Sequence, residues 1–275
     1  MKIVVAHTPD ADDAFMFYAM TAGKIEMPFE VEHFIEDIET LNKLAFERQL
    51  DVTAISVHAY AYLSKDYRIL SAGASVGDGY GPVVVAKREM ENLGKVGVPG
   101  KLTTAFLLLT LACDSLGIDF EPVEMRFDEI IPALKEGKID SGLLIHEGQM
   151  TYREHGFTKL IDLWEWWNEK TSLPLPLGVN VISRKFDEET QIAFLRAMKE
   201  SIKYALENPE EAVSYAMKYS RGLDRERTEK FAKMYVNEYT YEMPESVVKA
   251  MEILFDMAEK KGLLKKPELD VLFEK

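Results

Sequence analysis

VGVPGKLTTAFLLLTLA, Val96 to Ala112, is the stretch that decides the fold class. Lys95 to Val98 reads as a strand, Pro99 and Gly100 make a turn, and the apolar run Thr103 to Cys113 reads as a helix. The same unit recurs outward in both directions. Upstream, strands are expected at Ile3 to Ala6, Phe29 to Phe34, Val52 to Ile55, Ile69 to Ala72 and Pro82 to Ala86. Helices lie between them over Asp13 to Thr21, over Ile38 to Phe46 and from Ser56 into VHAYAYL. Downstream, Val123 to Arg126 and Leu143 to His146 read as strands around a helix at Ile130 to Glu136. Such alternation predicts an α/β fold with a mostly parallel sheet and helices on both faces. From Asp187 the pattern turns almost wholly helical, with starts at Asp187, Pro209, Asp224 and Pro244. Two α/β blocks and a helical tail suggest two lobes: a larger one from 1–89 plus 178–275, and a smaller one from 90–177. Their crossings are expected near Ala86 to Leu93 and near Thr171 to Val179.

At 275 residues, 47% of them hydrophobic, the chain can bury a sizeable core. A net charge of -14 argues against nucleic acid or an anionic membrane as partner, because both select basic surfaces. No apolar run is long enough to span a bilayer, and MKIVVAHTPDADD passes from strand to acidic loop without the apolar core of a secretion signal. A cytoplasmic location is therefore expected. The single cysteine, Cys113, sits inside the apolar helical run and reads as a buried small side chain.

GLLIHEGQMTY, Gly142 to Tyr152, carries the strongest chemical signal. An apolar run stops at His146, and the ends of such strands are where open α/β sheets hold ligands. Histidine also titrates nearest neutrality, which suits proton transfer. Thr103 and Thr104 open a helix whose free amides suit an anion, although plain capping explains them as well. Ser56 repeats that arrangement, with the same bland alternative. In HTPDADDAF, Asp10, Asp12 and Asp13 suit either a helix's first turn or a metal site; their spacing matches no calcium loop, and no metal is predicted. The glycines of GASVGDGYGPVVV precede a strand rather than a helix, which rejects nucleotide binding. His33, His58 and His155 read as structural or solvated, His7 stays open, and Trp164, Trp166 and Trp167 read as packing.

Taken in order, PDADDAFMFYA, IEDIETLN, the GxGxGP loop at Gly77 to Pro82, VPGxxTTAxxLL, RFDEIxPAxxxG, GLLIHE followed by TY, and WW…TxLPLPLG resemble the 1,4-dihydroxy-6-naphthoate synthase family of the futalosine route to menaquinone. The resemblance covers nearly everything from Ile3 to Lys185. It implies a two-lobed, periplasmic-binding-protein-like fold of type II with the ligand in the cleft. It implies a lyase that converts the small-molecule carboxylate cyclic dehypoxanthine futalosine to 1,4-dihydroxy-6-naphthoate, with no metal or redox cofactor. The family's catalytic base falls on His146, and its ligand-binding positions fall on Ala54, Ile55, Ser56, Thr104 and Ala105. Some members carry a Pro-Asn-Asp-Thr loop near the start; here Ala11, Asp12, Asp13 and Ala14 stand there, and Asp13 keeps the acid for substrate binding. Chorismate dehydratase of the same pathway and a non-catalytic small-carboxylate binding protein are the alternatives.

Overall fold

A computed structural model describes residues 1–220 and 222–274. In chain order its first part holds β1 (Lys2–His7), α1 (Ala11–Met16), α2 (Tyr18–Thr21), β2 (Glu30–Ile35), α3 (Ile38–Phe46), β3 (Val52–Ser56), α4 (Val57–Leu63), β4 (Tyr67–Leu70) and β5 (Ser75–Gly77). Next come β6 (Val83–Ala86), β7 (Gly94–Val98), α5 (Thr104–Leu116), β8 (Phe120–Glu124), α6 (Ile130–Glu136), β9 (Ser141–Leu144), α7 (Gly148–Thr151), β10 (Thr158–Asp162) and α8 (Leu163–Thr171). The chain ends with β11 (Leu175–Ser183), α9 (Glu188–Glu207), α10 (Pro209–Ala216), α11 (Arg225–Tyr235), α12 (Glu238–Tyr241), α13 (Glu245–Lys260) and β12 (Val271–Leu272).

Two sheets result. The larger runs β12-β4-β11-β3-β1-β2, with β5 also on β11; the smaller runs β10-β6-β9-β7-β8. Neither is mostly parallel, which corrects the expectation from strand-helix alternation. β1 lies parallel to β2 and β3, and β7 parallel to β8 and β9, as helical crossovers demand. But β11 runs antiparallel to β3, β4 and β5, and β6 antiparallel to β9 and β10. β6 and β11 adjoin the passages of the chain from one sheet to the other; β6 follows β5 with no helix between, and β11 follows α8. β6 already pairs in the smaller sheet, so the first passage lies between β5 and β6 rather than near Ala86 to Leu93.

Local chemistry explains most element boundaries. Asp187 caps α9 by accepting from Thr190 N at 2.8 Å, and Asp224 caps α11 by accepting from Arg227 N at 2.8 Å. Pro209 opens α10, and Pro244 precedes α13, so all four expected helix starts in the tail are present. Other boundaries moved. The expected helix from Asp13 to Thr21 is broken at Phe17 into α1 and α2. The strand expected at Val123 to Arg126 is β8, several residues earlier. The strand expected to reach His146 ends at Leu144.

The tail docks back on the first block: α9, α10 and α11 pack on α1 and α2, while α13 packs on β11 and α5. Trp166 and Trp167 are buried as packing residues. The Trp167 indole donates to Leu173 O and Pro174 O, both at 3.0 Å, and so pins the segment that leads into β11. Cys113 is buried, and burial pushes its thiol up to about 12. Among the described residues no helix is long and apolar enough to cross a membrane. Trp167→Ala should cost about 3–5 kcal/mol, the range for emptying a large buried aromatic site. Urea unfolding should show it as a lowered midpoint with little change in slope.

Candidate functional site

One cleft, with a cavity of about 110 Å³, gathers the chemistry. Every position that the resemblance singled out lines it: Ala54, Ile55 and Ser56, Thr104 and Ala105, Asp13, and His146. Asp10, Asp12, Gln149, Asn180 and Tyr235 line it as well.

His146 sits beyond the end of β9 in a left-handed backbone conformation, with φ of 52°. A non-glycine residue there is strained and must be held by its surroundings. Gln149 supplies one restraint: with its amide turned to satisfy both ends, its oxygen accepts from His146 N at 3.1 Å and its nitrogen donates to Gly81 O at 2.6 Å. Phe127 meets the imidazole edge-on, with ring centroids 4.9 Å apart. The side chain is 18% exposed, and its Nδ1 lies 3.0 Å from Asp10 Oδ2.

Burial acts to lower the His146 pKa, yet the charge and hydrogen bond of Asp10, with Glu147 and Asp12 behind them, raise it to about 9. The resting form near neutrality is thus an imidazolium, not the neutral imidazole that a base requires. Asp10 stands at the N-cap position of α1 but makes no side-chain capping bond. Its carboxylate points instead to His146 and to the Thr8 hydroxyl, which lies 2.8 Å from Oδ2 of both Asp10 and Asp13. Asp10 thus stands at a helix start and also engages the site. Asp13 also accepts from Thr8 N at 2.6 Å, and burial raises its carboxyl to about 6. Burial and the adjacent Asp13 and Asp10 push the Asp12 carboxyl well above the usual carboxylate range.

The opposite wall is built from helix starts. Thr103 caps α5 by accepting from Phe106 N at 3.2 Å. The first two helical amides, those of Thr104 and Ala105, have no acceptor within the helix and belong to residues that line the cleft. The Thr104 hydroxyl is already used: it donates to Leu177 O at 2.6 Å and accepts from His58 N at 3.1 Å. Ser56 makes no capping bond either. Fully buried Asn42 grips it, donating to Ser56 Oγ at 3.1 Å and accepting from Ser56 N at 2.9 Å, which leaves the hydroxyl proton for the cleft. The helix starts at Ser56 and Thr104 lie side by side, joined through His58 N, rather than facing each other.

The remaining histidines are structural or solvated. His7 is buried, stacks on Phe17 with centroids 4.8 Å apart and meets His33 at 3.1 Å; burial lowers both to about 4. His58 is buried and its pKa lowered, and His155 is exposed. Gln149, Asn180 and Tyr235 were missed. Asn180 carried a signal, a lone amide in the apolar run VNVIS; Tyr235 carried none. Among the described residues no set of three or more His, Cys, Asp or Glu side chains is placed to hold a metal ion.

Fold and cleft together define a two-lobed protein of the periplasmic-binding-protein type. An alkanesulfonate-binding protein from Xanthomonas axonopodis pv. citri, bound to MOPS, superposes over 98% of both chains with a TM-score of 0.74 at 12% identity. A Candida albicans protein described as having the generic periplasmic binding protein fold gives 0.72 at 12%, over 100% of this chain and 99% of that one. A crystal structure of a protein from Archaeoglobus fulgidus matches at 0.92 with 63% identity, over 96% of this chain and 98% of that one.

The chain belongs to the menaquinone biosynthesis family, whose model matches residues 3–260. It is 39% identical to the 1,4-dihydroxy-6-naphthoate synthase of Thermus thermophilus over 93% of each chain. It is 33% identical to that of Streptomyces coelicolor over 94% of each. It is thus an enzyme of menaquinone biosynthesis.

Because folding favours the imidazolium, His146 contributes stability that is complete below pH about 6.5 and fades as pH rises through about 9. Buried His7 and His33 act in the opposite sense, contributing above about 6.5 and losing that contribution as pH falls toward about 4. Asp10→Asn should lower the His146 pKa by roughly one to three units, the usual effect of removing a contacting charge. An NMR titration of the imidazole protons reads this directly, and an unmoved pKa would show that Asp10 does not hold the charge.

Proposed function

We propose that this protein is a carbon–carbon lyase that splits cyclic dehypoxanthine futalosine into 1,4-dihydroxy-6-naphthoate and a sugar-derived fragment. The observation that carries the reading is the His146–Asp10 pair, 3.0 Å apart, in one cleft with the free amides of α5. The family and its named relatives support a role in menaquinone biosynthesis, to which the substrate proposed here belongs.

His146 in its neutral form removes a proton from the bound bicycle. The C–H electrons settle in the ring that becomes aromatic, the bond to the sugar-derived fragment breaks with its electron pair on the fragment, and the imidazolium returns the proton to that fragment. Asp10 orients the imidazole and stabilises its cation, the role an aspartate plays behind any histidine base. The substrate's carboxylate is held by the amides of Thr104 and Ala105 and by the Ser56 hydroxyl. The Thr104 hydroxyl has no part in this, since Leu177 O holds its proton. The lobes built on the two sheets close around the ligand and exclude water from the reacting centre.

At pH 7 a base of pKa about 9 is neutral in about one molecule in a hundred. kcat/KM should therefore climb about tenfold per pH unit from 6 toward 9. A rate that instead falls across that range would assign His146 as an acid. His146→Ala should lose roughly two to four powers of ten in turnover while still binding ligand. Mass detection of the naphthoate from purified protein and cyclic substrate is the direct test. Conversion of chorismate, with none of the naphthoate formed, would overturn the reading.

A further inference from the structure

Asn180 lies on β11 opposite Ala54 of β3 and is 2% exposed. Its Nδ2 donates to Gly73 O at 2.9 Å, which fixes the amide's orientation. Gly73 makes this contact with φ of 83°, and a Cβ there would stand 2.7 Å from Asn180 Nδ2 and 2.1 Å from Met198 Cε. Only glycine both adopts that backbone and leaves room for the amide. The other end of the amide, Oδ1, is buried without a hydrogen-bond partner among the described residues, in a side chain that lines the cleft.

A buried acceptor left without a donor is rare in folded proteins and costly, and in a ligand cleft the missing donor comes with the ligand. The unpartnered atom is the acceptor Oδ1, while Gly73 O takes one hydrogen of Nδ2. The complementary group is a hydroxyl or N–H, not a carboxylate. We propose that Asn180 is a specificity-determining residue whose Oδ1 accepts a hydrogen bond from a hydroxyl of the ligand's ring system, so that the cleft rejects the analogue lacking it. This rests on the naphthoate reading for the identity of the ligand, but not for the chemistry of the contact. A site built around a ligand hydroxyl discriminates strongly, since the deoxy analogue leaves the protein acceptor unpaired in a dry site.

The experiment compares anaerobic binding of 1,4-dihydroxy-6-naphthoate and the unsubstituted naphthoate, by calorimetry, to the full-length protein and to Asn180→Leu. The native protein should prefer the dihydroxy compound roughly ten- to hundredfold, the range for one buried hydrogen bond made or lost. In Asn180→Leu that preference should collapse to near unity, and in Asn180→Asp, which keeps an acceptor, it should persist. A merely structural role for Asn180 would weaken both ligands alike and leave the ratio unchanged, which overturns the proposal while sparing the naphthoate reading. If the native protein binds neither compound, both fall. Should Asn180→Leu fail to fold, the two monohydroxy naphthoates on the native protein decide. One should bind like the parent and the other like the unsubstituted acid; equal, parent-like affinity for both overturns the proposal.

Discussion

The antiparallel seating of β11 is the constraint on which the rest of the structure depends. A chain that has left the larger sheet to build a second one returns through α8 into a strand that runs opposite to β3 and β4. That direction sets Gly178 against Ser56 and Asn180 against Ala54, at the end of β3 where the proposed ligand positions lie. It also places Leu177 O where the Thr104 hydroxyl reaches it, with His58 N closing the chain of bonds. Three elements from different parts of the sequence, α4, α5 and β11, are tied at one buried point. Each such bond is worth about 1 kcal/mol when made but more when broken in place, so the α5 amides are held firmly beside β3. Pro176 lies at an irregularity in the β5–β11 register, where a residue without an N–H causes no loss to the ladder.

Burial then dictates the charge state at the other wall. Three carboxyls and an imidazole share a partly dry space, and ionising all of them would cost far more than the fold can supply. The arrangement found keeps one ion pair, His146 with Asp10, and moves the other acids upward: Asp13 to about 6 and Asp12 well above its usual range. The strained backbone at His146 belongs to the same economy. A relaxed strand end would aim the next side chain along the sheet, whereas the left-handed turn braced by Gln149 directs the imidazole to Asp10.

What could be read in advance follows the range of the forces involved. Helix starts at Asp187, Pro209, Asp224 and Pro244 were legible because capping acts over three residues. His146, Ser56 and Thr104 were legible as candidates because strand ends and helix starts announce themselves locally. Strand direction was not, since nothing in the run LPLGVNVIS says from which lobe it arrives. Edge strand β8 was displaced because Glu121 and Pro122 interrupt its apolar pattern while its pairing with β7 does not require one. Asp10 resembled an ordinary helix-start acid; only the fold brings His146 to it. The ionisation state of His146 was beyond reach for the same reason, because burial and Asp10 oppose each other and the balance is tertiary.

That balance also sorts the ligand. The cleft offers an anion two places, the α5 amides and the imidazolium. The imidazolium is already neutralised by Asp10, and Glu147 and the remaining acids lie close to it, so a second anion beside it meets repulsion. The amides of Thr104 and Ala105 carry the positive end of a thirteen-residue helix, and the buried carboxyl at the turn before it, that of Glu39, accepts from Leu102 N at 3.2 Å. In the proposed reaction the substrate carboxylate therefore belongs at α5, and the ring system extends from it toward His146. A binding protein of this fold needs only the first of these two ends. Charge sorting between an amide-lined end and a neutralised histidine end orients the substrate and leaves one group free to move a proton.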